Sequence, residues 1–215
     1  MPIDAKICGV KTPESVAAAA RGGAAYIGLN FYPPSPRAVT PAQASALARQ
    51  TPPQVKRVGL FVDPDDDTLA AVTAEVPLEI LQLHGGETPR RLADIKARFG
   101  LPVMKAIKVA TAEDIAAAED YLQLADLLLF DAKAPKTLKN ALPGGNAIAF
   151  DWRLLAGRRW TRPWMLSGGL DADNLAEAVG ITCARAVDVS SGVEDSPGNK
   201  SPEKIAAFLE TAHGL

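Results

Sequence analysis

Eight short apolar runs, each followed by a segment carrying helix signals, constrain this chain more than any other feature. The runs are AKICGV, AAYIGLNF, KRVGLFV, LEILQLH, PVMKAIKV, LLLFDA, PWMLSG and ARAVDVSS. Thr12-Pro13, Thr40-Pro41, Thr88-Pro89 and Ser201-Pro202 open four of the intervening helices. A hydroxyl there accepts an unpaired N–H of the first turn, and proline follows where its missing N–H costs nothing. The remaining predicted helices are DDTLAAVTAEV, AEDIAAAEDYLQL, a short one near Asp151-Trp152, and ADNLAEAVG capped by Asp171.

A helix after every strand supplies the crossover that parallel pairing requires. The runs are apolar throughout rather than alternating, as strands covered on both faces must be. The expected fold is therefore α/β, a single (β/α)8 TIM barrel spanning residues 1–215 as one domain. A doubly wound open sheet would carry a glycine-rich turn after its first strand, and Gly9-Val10-Lys11 is not G-x-G-x-x-G. The stretch 132–149, rich in Lys, Pro and Gly, reads as an active-site loop.

Several partner classes are excluded at this stage. Twenty-three basic and 25 acidic residues are mixed along the chain for a net charge of −2, without the basic stripe that nucleic acid requires. MPIDAKICGV has no basic segment before a long apolar one, and no run reaches the roughly eighteen apolar residues of a membrane span. Neither a signal peptide nor a membrane partner is expected. Cys8 and Cys183 are too few for a disulfide framework, and His84 and His213 stand isolated, so no metal is expected. The expected location is the cytoplasm and the expected state a monomer.

In such a barrel the chemistry sits at the C-terminal ends of the strands. Gly168-Gly169 after the seventh strand and Ser191-Gly192 after the eighth read as a phosphate cup, because backbone N–H groups approach an anion closely there. Cys8 and Asp131 form the candidate acid–base pair. A strand-end thiol near Lys6 is expected to have a lowered pKa and to serve as base. A carboxyl following LLLF can be kept protonated as an acid. Arg37, in the proline-stiffened loop PPSPR, suits a carboxylate held by two parallel hydrogen bonds. His84 is assigned to a substrate hydroxyl, with strand-end backbone groups as the alternative. Asp188 faces inward if Ser190 does, toward sugar hydroxyls or an amine. Cys183 reads as structural, and Trp152, Trp160 and Trp164 as packing.

The strings KICGV, NFYPPSPRAVT, VGLFV, LQLHGGE, PGGNAIAFDW, LSGGLDADN and VDVSSGVEDSPGNK resemble the phosphoribosylanthranilate isomerases, in order and over nearly the whole chain. The resemblance implies an Amadori rearrangement in tryptophan biosynthesis, redox-neutral and without metal or nucleotide cofactor. It puts the general base on Cys8, the general acid on Asp131, the anthranilate carboxylate on Arg37 and the phosphate on the last two loops. The small-molecule partner it implies is a phosphorylated sugar derivative. Where the family often has GGxG, this chain has Gly144-Gly145-Asn146-Ala147, and the stretch before it is longer and more lysine-rich. The alternatives are a non-catalytic phospho-ligand-binding barrel, or another phosphate-binding barrel enzyme.

Overall fold

A computed structural model describes residues 3–135, 137 and 142–215 of the chain. Its parallel strands close into a barrel in chain order: β1 Asp4–Cys8, β2 Tyr26–Asn30, β3 Lys56–Phe61, β4 Ile80–Leu83, β5 Val103–Val109, β6 Leu127–Ala132, β7 Trp164–Leu166 and β8 Ala186–Val189. β1 pairs with β2 on one side and β8 on the other. That closure removes the sheet edges and rules out the open doubly wound alternative. A small antiparallel hairpin follows, β9 Glu194–Ser196 and β10 Asn199–Lys200.

The helices are α1 Pro13–Arg21, α2 Pro41–Gln50, α3 Asp66–Glu75, α4 Pro89–Phe99, α5 Ala112–Ala116, α6 Leu175–Thr182 and α7 Pro202–His213. Thr12, Thr40, Thr88 and Ser201 cap theirs as expected, each side-chain oxygen accepting the backbone N–H three residues on. Each such cap contributes about 1 kcal/mol.

Three segments differ from expectation. The helix after β5 stays α-helical only to Ala116 and tightens into a 3₁₀ turn over Ala117–Tyr121. Buried Ile115 and Ala118 are three apart, the spacing that a 3₁₀ turn aligns on one line. Asp171 does not cap α6. Its carboxylate accepts the N–H groups of Asp173 and Asn174 in a turn before the helix, the local bonding that lets Asp compete with helical structure. Between β6 and β7 the expected short helix is one 3₁₀ turn, Trp152–Leu155, capped by Asp151.

Two apolar cores result. One fills the space between strands and helices, with Ile7, Leu29, Leu81, Phe130 and Phe208 fully buried. The other plugs the ring itself with Val58, Ile80, Met104, Ala106, Leu129 and Met165. Strand β6 shows how the plug positions function. Leu129 joins the inner core, while Phe130 faces out and packs on Trp160 and Trp164 at 4.9 and 5.7 Å between ring centres. Alternation then turns Asp131 inward above the plug. The tryptophans are packing residues, as read from sequence, and Trp152 lies against the same core.

Candidate active site

The pocket at the C-terminal mouth of the barrel brings Cys8, Arg37, His84, Asp131 and Asp188 together with Gly168, Gly169 and Ser191. These come from six strand ends or the loops after them, so only barrel closure assembles them. No group of three or more potential metal-ligating side chains occurs among the described residues.

Cys8 ends β1 and is buried. Two residues earlier on the same face, the fully buried Lys6 ammonium donates to Asp188 Oδ1 at 2.8 Å, and Ser167 Oγ donates to Asp188 Oδ2 at 3.0 Å. Gly28 on β2 makes room for both: a Cβ there would stand 2.8 Å from Cys8 Sγ and 3.1 Å from Lys6 Nζ. Burial works against the Lys6 charge, but Asp188 and the thiol beside it hold its pKa above the ordinary lysine value. The expectation of a lowered thiol pKa is overturned. Burial pushes Cys8 up by more than Lys6 and Lys200 pull it down, and Asp188 adds to the rise. Proximity to a cation does not suffice when that cation is already neutralised and the thiol is out of water.

Asp131 is buried at the end of β6. Its Oδ1 accepts the Ala132 N–H at 2.9 Å, and its Oδ2 lies 3.0 Å from His84 Nε2. His84 Nδ1 is in turn 2.9 Å from the Gln82 amide. His84 therefore orients the carboxyl of Asp131 and is not spent on strand-end backbone. Gly144 lies directly over this pair, since a Cβ on it would be 2.6 Å from Asp131 Oδ2 and 2.8 Å from His84 Nε2.

Arg37 is buried rather than solvated. Its Nε and Nη2 donate to the two oxygens of Glu194 at 2.8 Å each, and Nη2 also donates to the Gly145 carbonyl at 3.2 Å. The two-bond edge that the sequence reading reserved for a ligand is thus occupied by Glu194. Burial works against the Glu194 charge, but Arg37 and Lys200 hold its pKa below the usual carboxylate range. Lys200 donates to Glu194 Oε1 and to the Ser190 carbonyl, both at 2.8 Å, and Ser190 Oγ donates to the Cys8 carbonyl at 3.1 Å.

On the opposite wall, Gly168 and Gly169 have φ of +90° and +66°, a region that side-chain-bearing residues enter only at a cost. Gly192 does not line the pocket. A Cβ on it would overlap the Leu170 carbonyl, so it lets the loops after β7 and β8 touch. Ser190 and Ser191 line the pocket beside them. Residues 142–146 and Ile148 of the loop after β6 cover the mouth, while residues 136 and 138–141 of that loop lie outside the described residues. Ala147, standing where GGxG would place its last glycine, is held at φ +55°. Cys183 is exposed and ends α6 in the same left-handed region, a backbone role.

Sequence reasoning missed Glu194, Lys200 and Gln82 as parts of the site. The first two belong to the quoted VDVSSGVEDSPGNK string, where charged residues bracketing a turn are the visible signal. Gln82 gave one too: a polar side chain two residues before His84 on a strand shares its face.

The model of the N-(5′-phosphoribosyl)anthranilate (PRA) isomerase family matches residues 5–211. The N-(5′-phosphoribosyl)anthranilate isomerase of Rhodospirillum centenum is 59% identical over 215 residues, all of both chains. That of Paramagnetospirillum magneticum is 55% identical over 214 residues, covering 100% of this chain and 99% of the relative. Among solved structures, phosphoribosyl anthranilate isomerase from Thermotoga maritima superposes with a TM-score of 0.88 at 35% identity, covering 99% of this chain and all of that one. A phosphoribosyl anthranilate isomerase in complex with reduced 1-(o-carboxyphenylamino)-1-deoxyribulose 5-phosphate superposes with a TM-score of 0.84 at 33% identity, with the same coverage.

Proposed function

The chain belongs to the N-(5′-phosphoribosyl)anthranilate isomerase family, and from that premise we propose how its pocket carries out the rearrangement. The chain is an isomerase of tryptophan biosynthesis acting on a phosphorylated small molecule, N-(5′-phosphoribosyl)anthranilate. The observation that carries the residue assignments is the presence of Cys8 and Asp131, from β1 and β6, in one pocket with Arg37 and Gly168-Gly169.

Asp131 gives its proton to the furanose ring oxygen as the C1–O bond breaks, and the nitrogen lone pair forms the Schiff base. Cys8, as thiolate, takes the proton from C2, and the electron pair moves to form the enolamine. Return of a proton to C1 and loss of the enol proton give the 1-deoxyribulose ketone. Atoms and oxidation state balance without a cofactor. Asp131 must carry a proton to begin, and His84 sets how its carboxyl is turned toward the substrate. The Gln82 amide nitrogen donates to Nδ1, so a neutral imidazole carries its proton on Nε2 and donates it to Asp131 Oδ2, which fixes the direction of the carboxyl.

Gly168, Gly169 and Ser191 hold the phosphate, assisted at the loop contact by Gly192. Arg37 meets the anthranilate carboxylate, Asp188 the sugar side, and the apolar wall of Leu60, Val62, Leu142 and Ile148 the aromatic ring. A catalytic free thiol calls for a reducing compartment, which supports the cytoplasm. The residues assigned here lie on one barrel, and the working unit we propose is a single-domain monomer. The test is the loss of substrate fluorescence when the protein is added to freshly made N-(5′-phosphoribosyl)anthranilate, with inorganic phosphate as a competing ligand. Turnover slowed competitively by phosphate supports the assignment, and an inert folded protein overturns it.

A further inference from the structure

Three charged side chains behind the pocket wall are nearly sealed from water: Arg37, Glu194 and Lys200, with side-chain exposures of 5%, 4% and 2%. Glu194 and Lys200 sit on the β9–β10 hairpin after β8, and Arg37 on the loop after β2, in direct contact with Glu194. Glu194 receives Arg37 through Nε and Nη2 and Lys200 through Nζ, and its Oε2 also accepts the Gly198 N–H at 3.2 Å. Gly198, at φ +86° and pressed against the Pro36 carbonyl, closes the hairpin onto the Arg37 loop.

Two consequences follow from donor geometry and charge. A guanidinium has five N–H donors in a fixed fork. The Nε–H and one Nη2–H go to Glu194, and the other Nη2–H goes to the Gly145 carbonyl. Among the described residues only Nη1 of this pocket-lining side chain, which lies against Gly145, has no acceptor. Two cations and one carboxylate also leave this buried cluster with one positive charge in excess. Burying an unbalanced charge is costly, and an anionic group brought by the ligand to Nη1 balances it.

We propose that Glu194 is a specificity-determining positioning residue: by holding the Nε/Nη2 edge of Arg37, it presents a single guanidinium end to the substrate and so selects an aminobenzene carboxylated next to its nitrogen. This rests on the reading of the pocket as the isomerase site. Lys200 keeps Glu194 in place and ties it, through Ser190, to the loop that takes the phosphate. The carboxylate and phosphate ends of the substrate are thereby registered against each other by one hairpin.

The test compares kcat/KM for three phosphoribosyl amines made in place from the same sugar phosphate: the anthranilate compound, its isomer with the carboxylate one ring position further away, and the carboxylate-free aniline compound. The wild type is expected to prefer the first. In Glu194→Gln the guanidinium is released, and that preference over the shifted isomer should fall about tenfold or more, mostly through KM. The aniline compound never uses Arg37, so its kcat/KM should fall far less than that of the anthranilate compound. Equal losses on all three substrates would show Glu194 to be merely structural and overturn the proposal, as would an unchanged preference. Should Glu194→Gln fail to fold, Glu194→Asp keeps the charge with a shorter reach and should show the same selective loss, in smaller degree. A wild type inert toward all three would remove the isomerase reading itself, an outcome distinct from active protein with unaltered selectivity.

Discussion

Replacing Lys6 with methionine should disable the proposed base without touching it. Cys8 Sγ and Lys6 Nζ stand 2.8 and 3.1 Å from one point on Gly28, so they are at most about 6 Å apart. At that separation and an effective dielectric of about 20, a unit charge pair is worth about 3 kcal/mol, or about two pH units of thiol ionisation. The thiol already starts above its ordinary value because it is buried. Lys6→Met should therefore move Cys8 ionisation upward by about two further units, and the rising alkaline limb of kcat/KM with it. The assay is the pH dependence of iodoacetamide alkylation in a Cys183→Ser background, since Cys183 is exposed. The substitution also leaves Asp188 buried without its cation. That costs about 3–5 kcal/mol, or a fall in Tm of about 6–20 °C. Lys6→Met with Asp188→Asn removes both charges and should recover much of that stability, with a smaller shift in the alkylation profile. An alkylation midpoint that stays put or falls in Lys6→Met would refute the electrostatic reasoning.

Further outcomes are expected elsewhere. Ala147→Gly removes a side chain from a left-handed position and should stabilise the protein by about 1 kcal/mol, read as a small rise in Tm. Gly144→Ala would push a methyl group onto Asp131 and His84, and should lower kcat by about tenfold or more while leaving Tm within about 2 °C. Lys105→Met strands Glu87, which now binds Lys105 Nζ at 2.7 Å and the Asp63 and Gly85 N–H groups, and should cost about 3–5 kcal/mol in urea unfolding. On the acid side, burial opposes the charges of Glu87 and Glu194, but their cationic partners hold both pKa values below 4.5. Their contribution is complete above about pH 4.5 and disappears as pH falls through the folded-state values, so Glu87→Gln should flatten the acid limb of stability against pH.

The barrel was legible because every strand and most helix starts carry local signals. Thr-Pro and Ser-Pro pairs fixed helix starts through bonds made within four residues. Cys8, Asp131 and the glycine pairs were legible as strand-end residues, since alternation and barrel geometry give them an address. What stayed hidden depends on partners distant in sequence. Arg37 and Glu194 are 157 residues apart, so no local pattern reveals that the guanidinium is already engaged. The sign of the Cys8 shift was misread for the same reason: Lys6 is visible from sequence, but its neutralisation by Asp188, 182 residues away, and the depth of burial are not. Asp171 misled in the other direction. Asp before a helical run suggests a cap, yet Asn174 offered the backbone a competing turn.

The most direct test of the central claim is kcat for conversion of N-(5′-phosphoribosyl)anthranilate by wild type, Cys8→Ser, Asp131→Asn and the double variant, each checked for a native Tm. General acid and general base acting in one pocket predict kcat losses of about 10²–10⁴-fold in each single variant. The double variant should lose far less than the product of the two, because the residues act as a unit. Single variants retaining near wild-type kcat, in protein that folds and binds phosphate normally, would contradict the assignment of Cys8 and Asp131.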